Sequence, residues 1–476
     1  MSFFTFSFFI FLIILMVPYF ILQERPRIVW LGIMNLIFVY LVGGWTMFAW
    51  LLGSIILTFV GAYIVDCTKH RKAWFLCFLL LQIGSLSFLK LQTFVVNNLN
   101  ILRSAMQMDG EFTTLSIAVP LGISFFMLQL MSYLIDVYQG KYSATTDFVL
   151  YATYGTFFPQ VMSGPINRWD SMQKNLLGEK NWDWERILPA LERIAWGFFK
   201  KLVIAERLTL VVNASFSNYH ALSGVNALIG ALACTLQLYA DFSGYSDIAF
   251  GVAKLLDIEI IDNFKTPYFS TSVQEFWRRW HISLSTWLKD YVYIPLGGSR
   301  CSKGRRYFNL MMTFLVSGIW HGAGWNYIWW GLLHGFAQMV GNITKPIRVK
   351  SEGVVIRVLR TIGTFLIVML LWVLFFAPTA MDGFRMIGKI FMVWNYLFGP
   401  DLNYHYVNYA PIIWLLLGAS LVVMFLVDFI AHKHDGLVEG LKKLPWPIHL
   451  LILWYVIGAI TMSLNLSTSE FIYMQF

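Results

Sequence analysis

Apolar runs long enough to cross a lipid bilayer recur along most of the sequence, and they constrain the fold more than any other feature. A spanning helix needs about 20 mostly apolar residues, because the hydrocarbon core is roughly 30 Å thick. Hydrophobic residues make up 58% of the 476 residues and charged residues only 13%, which excludes a soluble protein of this length. The predicted spans are residues 3–22, 28–43, 46–66, 74–91, 115–138, 222–256, 355–378, 410–431 and 447–466.

Other segments are expected to enter the membrane without a simple crossing. Residues 146–165 are short and are interrupted by Pro159 and Pro165, which is typical of a re-entrant element. Residues 308–336 predict a hairpin that turns at its glycines, and residues 383–397 predict a half-length helix. We therefore predict an all-α polytopic membrane protein with about a dozen transmembrane or re-entrant helices.

Basic residues predict the orientation of these helices. Arg25 and Arg27 follow the first span and Lys69–Lys72 follow the third, so both loops are expected on the cytoplasmic side. This alternation places the N-terminus, the polar segment Gln92–Thr114 and the C-terminus outside. The first span lacks a basic region before it and a small-residue cleavage site, and we interpret it as a retained helix. The same rule accounts for most of the net charge of +9, so no nucleic-acid partner is predicted.

Several kinds of chemistry lack their motifs in this sequence. The four cysteines, Cys67, Cys77, Cys234 and Cys301, have no paired spacing that is typical of a metal site. The sequence also has no P-loop, no G-x-S-x-G and no H-E-x-x-H. We expect no metal and no bound cofactor, which leaves a membrane acyltransferase or a transporter.

A histidine inside an apolar run is the first candidate for a functional residue. His321 lies between Trp320 and Gly322 in the hairpin region, and a second histidine, His334, follows it. An imidazole in a hydrocarbon setting needs a polar partner or a water-filled cavity. From the residues alone, His321 is either a functional histidine or a core histidine that bridges two helices.

Two carboxylates also lie at depth. Asp241 and Asp247 are in one predicted span, which follows a long helix carrying Arg193, Lys200 and Lys201. Six residues apart on a helix, the two carboxylates need not share a face. Either each pairs with an arginine or a backbone donor of a neighbouring helix, or one of them acts directly in catalysis.

Residues 272–293 are amphipathic and predict an interfacial helix. Ser272 and Glu275 form a capping box at its start, and His281 lies at its centre. Its apolar stripe comprises Phe276, Trp277, Trp280, Leu284, Trp287, Leu288 and Tyr291.

A basic loop follows this helix between Gly297 and Arg306. Its basic residues are Arg300, Lys303, Arg305 and Arg306. One interpretation is a topology determinant on the cytoplasmic side. The other is a rim that attracts the phosphates of a cytosolic donor such as a nucleotide thioester. Both can hold together.

Several short motifs combine polar and aromatic residues in the middle of the chain. They are Gln237–Asp247, Asn263–Phe264, Pro267–Tyr268, Glu275–Trp287, Trp320–Ala323 and His334–Gly335. As a set they resemble the membrane-bound O-acyltransferase family. Within that family, Ser163–Arg168 and Tyr293–Arg300 resemble the bacterial alginate O-acetylation branch, which is related to the D-alanyl transfer protein of teichoic acids.

The resemblance implies a central tunnel through the membrane, in which donor and acceptor meet. It implies that His321 is the catalytic histidine and that His281 is the second signature histidine, nearer the cytoplasmic mouth. We expect a single membrane-embedded domain over residues 1–476. Its parts are N-terminal spans 1–114, a family core 115–343, C-terminal spans 344–466 and an outer tail 467–476. Further substrate contacts are predicted at Asp241, Trp320, His334, Arg300, Arg305 and Arg306.

The expected activity is that of an O-acetyltransferase in a bacterial cytoplasmic membrane. It would pass acetyl from cytosolic acetyl-CoA across the membrane to an extracytoplasmic polysaccharide, with a secreted partner protein handling the acceptor. Histidine suits this chemistry, because its pKa lies near pH 7 and a hydroxyl acceptor must lose a proton. The alternatives are D-alanyl transfer to teichoic acid from a carrier-protein thioester, and a transporter without covalent chemistry.

The C-terminal residues Phe471–Phe476 form an unusually aromatic tail. One interpretation is an aromatic anchor at the outer membrane interface. The other follows from the pattern Phe-x-Tyr-x-x-Phe, which resembles the acyl-carrying motif of the small partner protein in teichoic acid D-alanylation. On that hypothesis Tyr473 is an acyl relay, since an extended tail of about ten residues can reach about 30 Å.

Overall fold

The computed structural model of the chain describes residue 3 and residues 5–344, 353–392, 410–434 and 436–463. Within these residues every regular element is a helix. Contacts group the chain into two compact units. The first comprises Met1–Ala190 with Ala249–Ile261, and the second comprises Leu191–Ile248 with Asp262–Phe476.

The first unit begins with three long helices and continues through shorter ones. Its helices are α1 (Phe6–Ile21), α2 (Glu24–Cys67), α3 (Arg71–Ala105), α4 (Ile123–Tyr138), α5 (Phe148–Thr156), α6 (Phe158–Val161), α7 (Trp169–Leu176) and the start of α8 (Trp184–Phe198). Gly44 bends α2 with φ 61° and ψ −163°, a backbone region that glycine reaches without steric cost. The bend separates the two predicted spans 28–43 and 46–66.

The second unit holds the remaining helices, and two of its segments are π-helical. A π-helix, Phe199–Ala205, joins α8 to α9, and a second, Lys289–Tyr293, follows α12. The α-helices are α9 (Glu206–Ser217), α10 (Gly224–Leu255, as far as Ile248), α11 (Val273–Arg279), α12 (Ile282–Leu288), α13 (Lys303–His321), α14 (Trp325–Thr344), α15 (Val354–Phe376), α16 (Ala380–Phe391), α17 (Pro411–Lys433), α18 (Leu437–Lys442) and α19 (Trp446–Ser463).

Six helices of the described residues are long and apolar enough to cross a membrane. They are α2, α3, α10, α15, α17 and α19, and two shorter apolar helices, α1 and α4, accompany them. The predicted all-α polytopic membrane fold is thereby confirmed. The predicted positions of the two termini outside the membrane stay a prediction.

Two predicted boundaries in the first unit are wrong. Helix α3 continues to Ala105, although we predicted a span that ends at residue 91 and a polar segment from Gln92. Helix α4 begins at Ile123 and not at residue 115, because Gly122 starts it in a left-handed conformation with φ 70°. Hydropathy located the apolar core of each helix but not the polar turns that extend α3 beyond it.

The segment predicted as re-entrant is broken, as expected. Helix α5 ends at Thr156, and α6 restarts at Phe158 after one residue. The amide of Asn35 serves both sides of the break, since it donates to the Thr153 carbonyl (3.3 Å) and accepts from the Phe158 N–H (3.3 Å). A buried break of this kind is tolerated because protein groups replace the missing backbone bonds.

Helices α13 and α14 form a tight hairpin, which carries His321 at the end of its first arm. A Cβ on Gly318 would collide with the Tyr327 carbonyl, and a Cβ on Gly331 would collide with the Phe314 carbonyl. Glycine therefore allows the two backbones to touch. The hairpin fixes His321, the last residue of α13, against the adjoining arm.

Replacing Gly331 by alanine is expected to lower the free energy of unfolding by about 1–3 kcal/mol, because the new methyl group overpacks the hairpin. Thermal or denaturant unfolding of the detergent-solubilised protein measures the effect. Gly363→Ala in α15 is the matched control, because a Cβ there meets no described atom within 4 Å. Equal stability losses in the two variants would contradict the close-packed hairpin.

Candidate active site

His281 lies at a break between two short helices, which corrects the predicted continuous helix. Helix α11 ends at Arg279, α12 begins at Ile282, and His281 between them has φ 44°. Asn263 holds the new helix start: its carbonyl accepts from the Ile282 N–H (3.0 Å) and its Oδ1 accepts from the Ser283 N–H (3.2 Å). A distant asparagine therefore sets the position of His281.

The predicted location of the apolar stripe at the membrane interface is also wrong. Six of its seven members are buried, each at most 8% exposed, and Tyr291 is half-buried. The stripe packs on aromatic residues of the second unit and does not form a lipid-facing surface. For instance, the Trp280 ring lies 5.0 Å from the Trp372 ring of α15, centroid to centroid.

The predicted cap of this region is confirmed. The Ser272 hydroxyl accepts from the Glu275 N–H (3.2 Å), and the Glu275 carboxylate accepts from the N–H and the hydroxyl of Thr271 (2.8 Å each). Burial alone raises the pKa of Glu275, but these bonds and the charge of Arg279 bring it below its ordinary value. The carboxylate is thus a stable anchor for the start of α11.

The two signature histidines meet across one tryptophan. The Trp320 ring lies 4.8 Å from the His321 ring and 6.3 Å from the His281 ring, centroid to centroid. Both histidines are nearly inaccessible, at 4% and 1% exposure. Burial lowers the pKa of His281 to about 3, so this imidazole is neutral at pH 7. The structure therefore brings together His281, Trp320 and His321, three of the predicted site residues.

An aromatic wall surrounds His321 on its other sides. The rings of Trp330 and Phe375 lie 4.9 Å and 5.3 Å from the His321 ring. Trp330 in turn contacts His334 at 4.9 Å, so the third predicted histidine is one ring away from His321. The Trp277 indole donates to His334 Nδ1 (3.2 Å), which places the proton of the neutral His334 ring on Nε2.

Sequence reasoning missed four members of this wall. Trp277 was counted as part of an interfacial stripe, and Trp330 lies four residues before His334 in an ordinary apolar pattern. Trp372 and Phe375 belong to the apolar second half of α15, which carries no charged residue after Arg360. The spacing of Trp330 and His334 on one helix face was the available clue.

The two buried aspartates are ion-paired with the preceding helix and its π-helical extension. Lys201 Nζ lies 2.7 Å from Asp241 Oδ1, and Lys200 Nζ lies 2.5 Å from Asp247 Oδ2. Arg193 Nε adds a contact of 2.9 Å to Asp247 Oδ1. The π-helix Phe199–Ala205 directs two consecutive lysines toward one neighbouring helix. This favours the pairing interpretation, and the substrate contact of Asp241 stays a prediction.

A mostly apolar cavity of about 330 Å³ runs along α13. Its lining includes Leu310, one turn after Arg306, and Ser317, one turn before His321. Two basic side chains, Arg278 and Lys289, also line it. The cavity therefore lies along the middle of the helix that separates the basic loop from His321.

The basic loop lies far from His321 and close to the start of α13. Ser302 caps this helix by accepting from the Arg305 N–H (3.4 Å), and Arg300 and Lys303 are exposed. From Arg305 to His321 the helix rises about 24 Å. Within the described residues no group of three or more histidine, cysteine or acidic side chains is placed to hold a metal ion. Tyr473 lies outside the described residues.

The sequence profile of the membrane-bound O-acyltransferase family matches residues 143–381, a range that contains every residue of the site described above. The chain belongs to this family. The predicted family and the predicted acyltransferase class are thereby confirmed, and the buried histidine pair stays the predicted site.

Three relatives indicate the branch of the family. The chain is 38% identical over 324 residues to the probable alginate O-acetylase of Pseudomonas syringae pv. tomato, covering 68% of this chain and 61% of that protein. It is 34% identical over 354 residues to the peptidoglycan O-acetyltransferase of Helicobacter pylori, covering 68% and 66%. It is 30% identical over 191 residues to the teichoic acid D-alanyltransferase of Bacillus subtilis, covering 37% and 47%. The aligned part is thus less than two thirds of each relative.

Proposed function

We propose that the protein is a membrane O-acetyltransferase that takes acetyl from acetyl-CoA and passes it across a bacterial cytoplasmic membrane. The observation that carries the proposal is the buried pair of histidines on Trp320, at the end of a helix that begins in a basic loop. A base, a low-dielectric site and a path for a charged donor are the requirements of acyl transfer from a thioester.

The reaction needs two proton transfers, one from the acceptor and one to the leaving thiolate. His321 takes the proton of the acceptor hydroxyl while the hydroxyl oxygen attacks the thioester carbonyl. The carbon–sulfur bond then breaks, and the CoA thiolate leaves with a proton returned by His321. Because a thioester is already activated, the step depends on positioning and on a base.

The donor path follows from the cavity along α13. Phosphates of CoA would bind near Arg300 and Lys303, and the uncharged arm of the donor would follow the apolar lining from Leu310 to Ser317. Basic groups attract phosphate, and a cavity whose exposed surface is mostly apolar suits the arm. The thioester would then arrive one helical turn from His321.

The acceptor is proposed from the relatives. Two of the three act, by name, on alginate and peptidoglycan, which are extracytoplasmic polysaccharides with free hydroxyl groups. We therefore propose a polysaccharide acceptor outside the membrane, reached through a secreted partner protein. Acyl relay through Tyr473 stays part of this proposal. D-alanyl transfer is less favoured, since the match to the D-alanyltransferase covers only 37% of the chain.

Purified protein in detergent or liposomes tests the donor. The expected result is release of CoA from acetyl-CoA with transfer of the acetyl group, and no reaction with a D-alanyl carrier-protein thioester. The reverse preference would establish the D-alanyl alternative. Binding or transport of a solute without thioester cleavage would establish the transporter.

Removing two charges of the basic loop tests the donor path. In Arg300→Gln/Lys303→Gln the KM for acetyl-CoA is expected to rise about 3- to 10-fold, with less salt dependence and unchanged kcat, because exposed ion contacts are individually weak. Steady-state kinetics at several salt concentrations measure it.

Lys442→Gln/Lys443→Gln is the matched control, because both lysines are exposed in the same unit and the same number of charges is removed. Its KM is expected to equal that of the wild type. If only membrane insertion changes in the loop variant, or if the KM for acetyl-CoA changes equally in both variants, the loop is a topology determinant.

A further inference from the structure

Three buried N–H groups near His321 have no hydrogen-bond acceptor among the described residues. They are Trp330 Nε1, Trp372 Nε1 and His334 Nε2, and each of these residues is 0% exposed. His334 contributes a donor at Nε2 because its Nδ1 accepts from Trp277. Buried donors are nearly always paired, so three together need an explanation.

The three rings form one cluster. Ring centroids lie 4.9 Å apart for Trp330 and His334, 5.7 Å for Trp330 and Trp372, and 5.9 Å for His334 and Trp372. Trp330 also contacts the His321 ring at 4.9 Å. The three unpaired donors therefore belong to one ring cluster, and Trp330 is the member of it that contacts His321.

The cluster offers hydrogen-bond donors only. An indole N–H only donates, and the remaining nitrogen of His334 is already occupied by Trp277. A site that offers several donors and no free acceptor is matched to an oxygen that bears negative charge. In a dry aromatic setting such donors act strongly, because little solvent competes with them.

We propose that Trp330, with Trp372 and His334, forms an oxyanion site for the acyl-transfer step. The inference rests on the proposed acyl transfer. When the acceptor oxygen attacks, the carbonyl π electrons move to the carbonyl oxygen, and the hydroxyl proton goes to His321. The indole N–H of Trp330 donates to that oxygen until the carbon–sulfur bond breaks and the thiolate departs with the proton. Trp330 is thus a catalytic residue of the reaction.

The test removes the N–H and keeps an aromatic side chain at position 330. In Trp330→Phe, kcat is expected to fall about 10²-fold while the KM for the acyl donor changes less than about threefold, since one oxyanion donor is lost and binding is retained. Incorporation of 3-benzothienylalanine at position 330, which has sulfur in place of N–H and nearly the same shape, is expected to give the same loss. Trp372→Phe is expected to give a smaller loss of kcat.

Trp169→Phe in the first unit controls for packing, because Trp169 is a buried tryptophan in a tyrosine cluster. Its kcat is expected to match the wild type. Full activity with 3-benzothienylalanine at position 330 overturns the proposal.

The identity of the acyl donor is tested separately from the oxyanion site. If the wild type uses a D-alanyl thioester in place of acetyl-CoA, the proposed function fails, and the same loss of kcat is expected with that donor. If the wild type cleaves neither thioester, both proposals are overturned.

Discussion

Replacing His321 by alanine is expected to lower acetyl transfer by about 10²- to 10⁴-fold, the range that general acid–base catalysis contributes. The imidazole lies at the end of α13 among Trp320, Trp330 and Phe375, so no neighbouring ring in that group can serve as a base. His321 is the last residue of α13, so removing its side chain leaves the hairpin contacts of Gly318 and Gly331 in place. Acetyl transfer by purified protein, with the unfolding temperature measured in parallel, tests this.

His434→Ala controls for loss of a histidine, because His434 is exposed after the end of α17. It is expected to retain full activity. A protein that needs His281 but works without His321 would reverse the assignment of the base. If His321→Ala lowers the free energy of unfolding as much as Gly331→Ala does, His321 is instead a core histidine that bridges two helices.

Replacing Lys201 by methionine is expected to lower the free energy of unfolding by about 3–5 kcal/mol. Lys201 is 1% exposed and contacts two carboxylates, Asp241 at 2.7 Å and Glu206 at 3.0 Å. Removing the ammonium group leaves the carboxylates of Asp241 and Glu206 buried without their shared cation. Denaturant unfolding in mixed micelles measures the loss.

Companion variants separate the ion pair from a substrate contact. Asp241→Leu is expected to cost less than Lys201→Met, because Glu206 still pairs with Lys201. The triple variant Lys201→Met/Asp241→Leu/Glu206→Leu is expected to recover most of the stability, since apolar side chains often replace a buried charge group without loss. If Asp241→Leu raises the KM for the donor and leaves stability unchanged, Asp241 contacts substrate.

The spans could be predicted because length and hydropathy alone decide which segments suit a bilayer. Predicted boundaries near residues 22, 66, 256, 378 and 431 agree with the ends of helices in the structure to within a few residues. The polar end of α3 was missed, because a helix that has left its apolar part continues without a hydropathy signal.

The site was predictable only in part. His281, Trp320 and His321 were singled out from the sequence, and the structure places them together. The break at His281 depends on Asn263, and no local pattern shows that contact. The charges of Lys200, Lys201, Asp241 and Asp247 were visible in the sequence. Pairing with a neighbouring helix was one of the two interpretations, but the lysine partners could not be assigned, because a π-helix changes which side chains face the neighbouring helix.

The most direct test of the account is the amount of ester-linked acetate on the extracytoplasmic polysaccharide of cells that lack this protein. Mild base releases the acetate, which is then measured per unit of polysaccharide. The wild-type chain is expected to restore acetylation, and His321→Ala, present at the same level in the membrane, is expected to leave it at background. Full acetylation without the protein, or with His321→Ala, would contradict acyl transfer by His321.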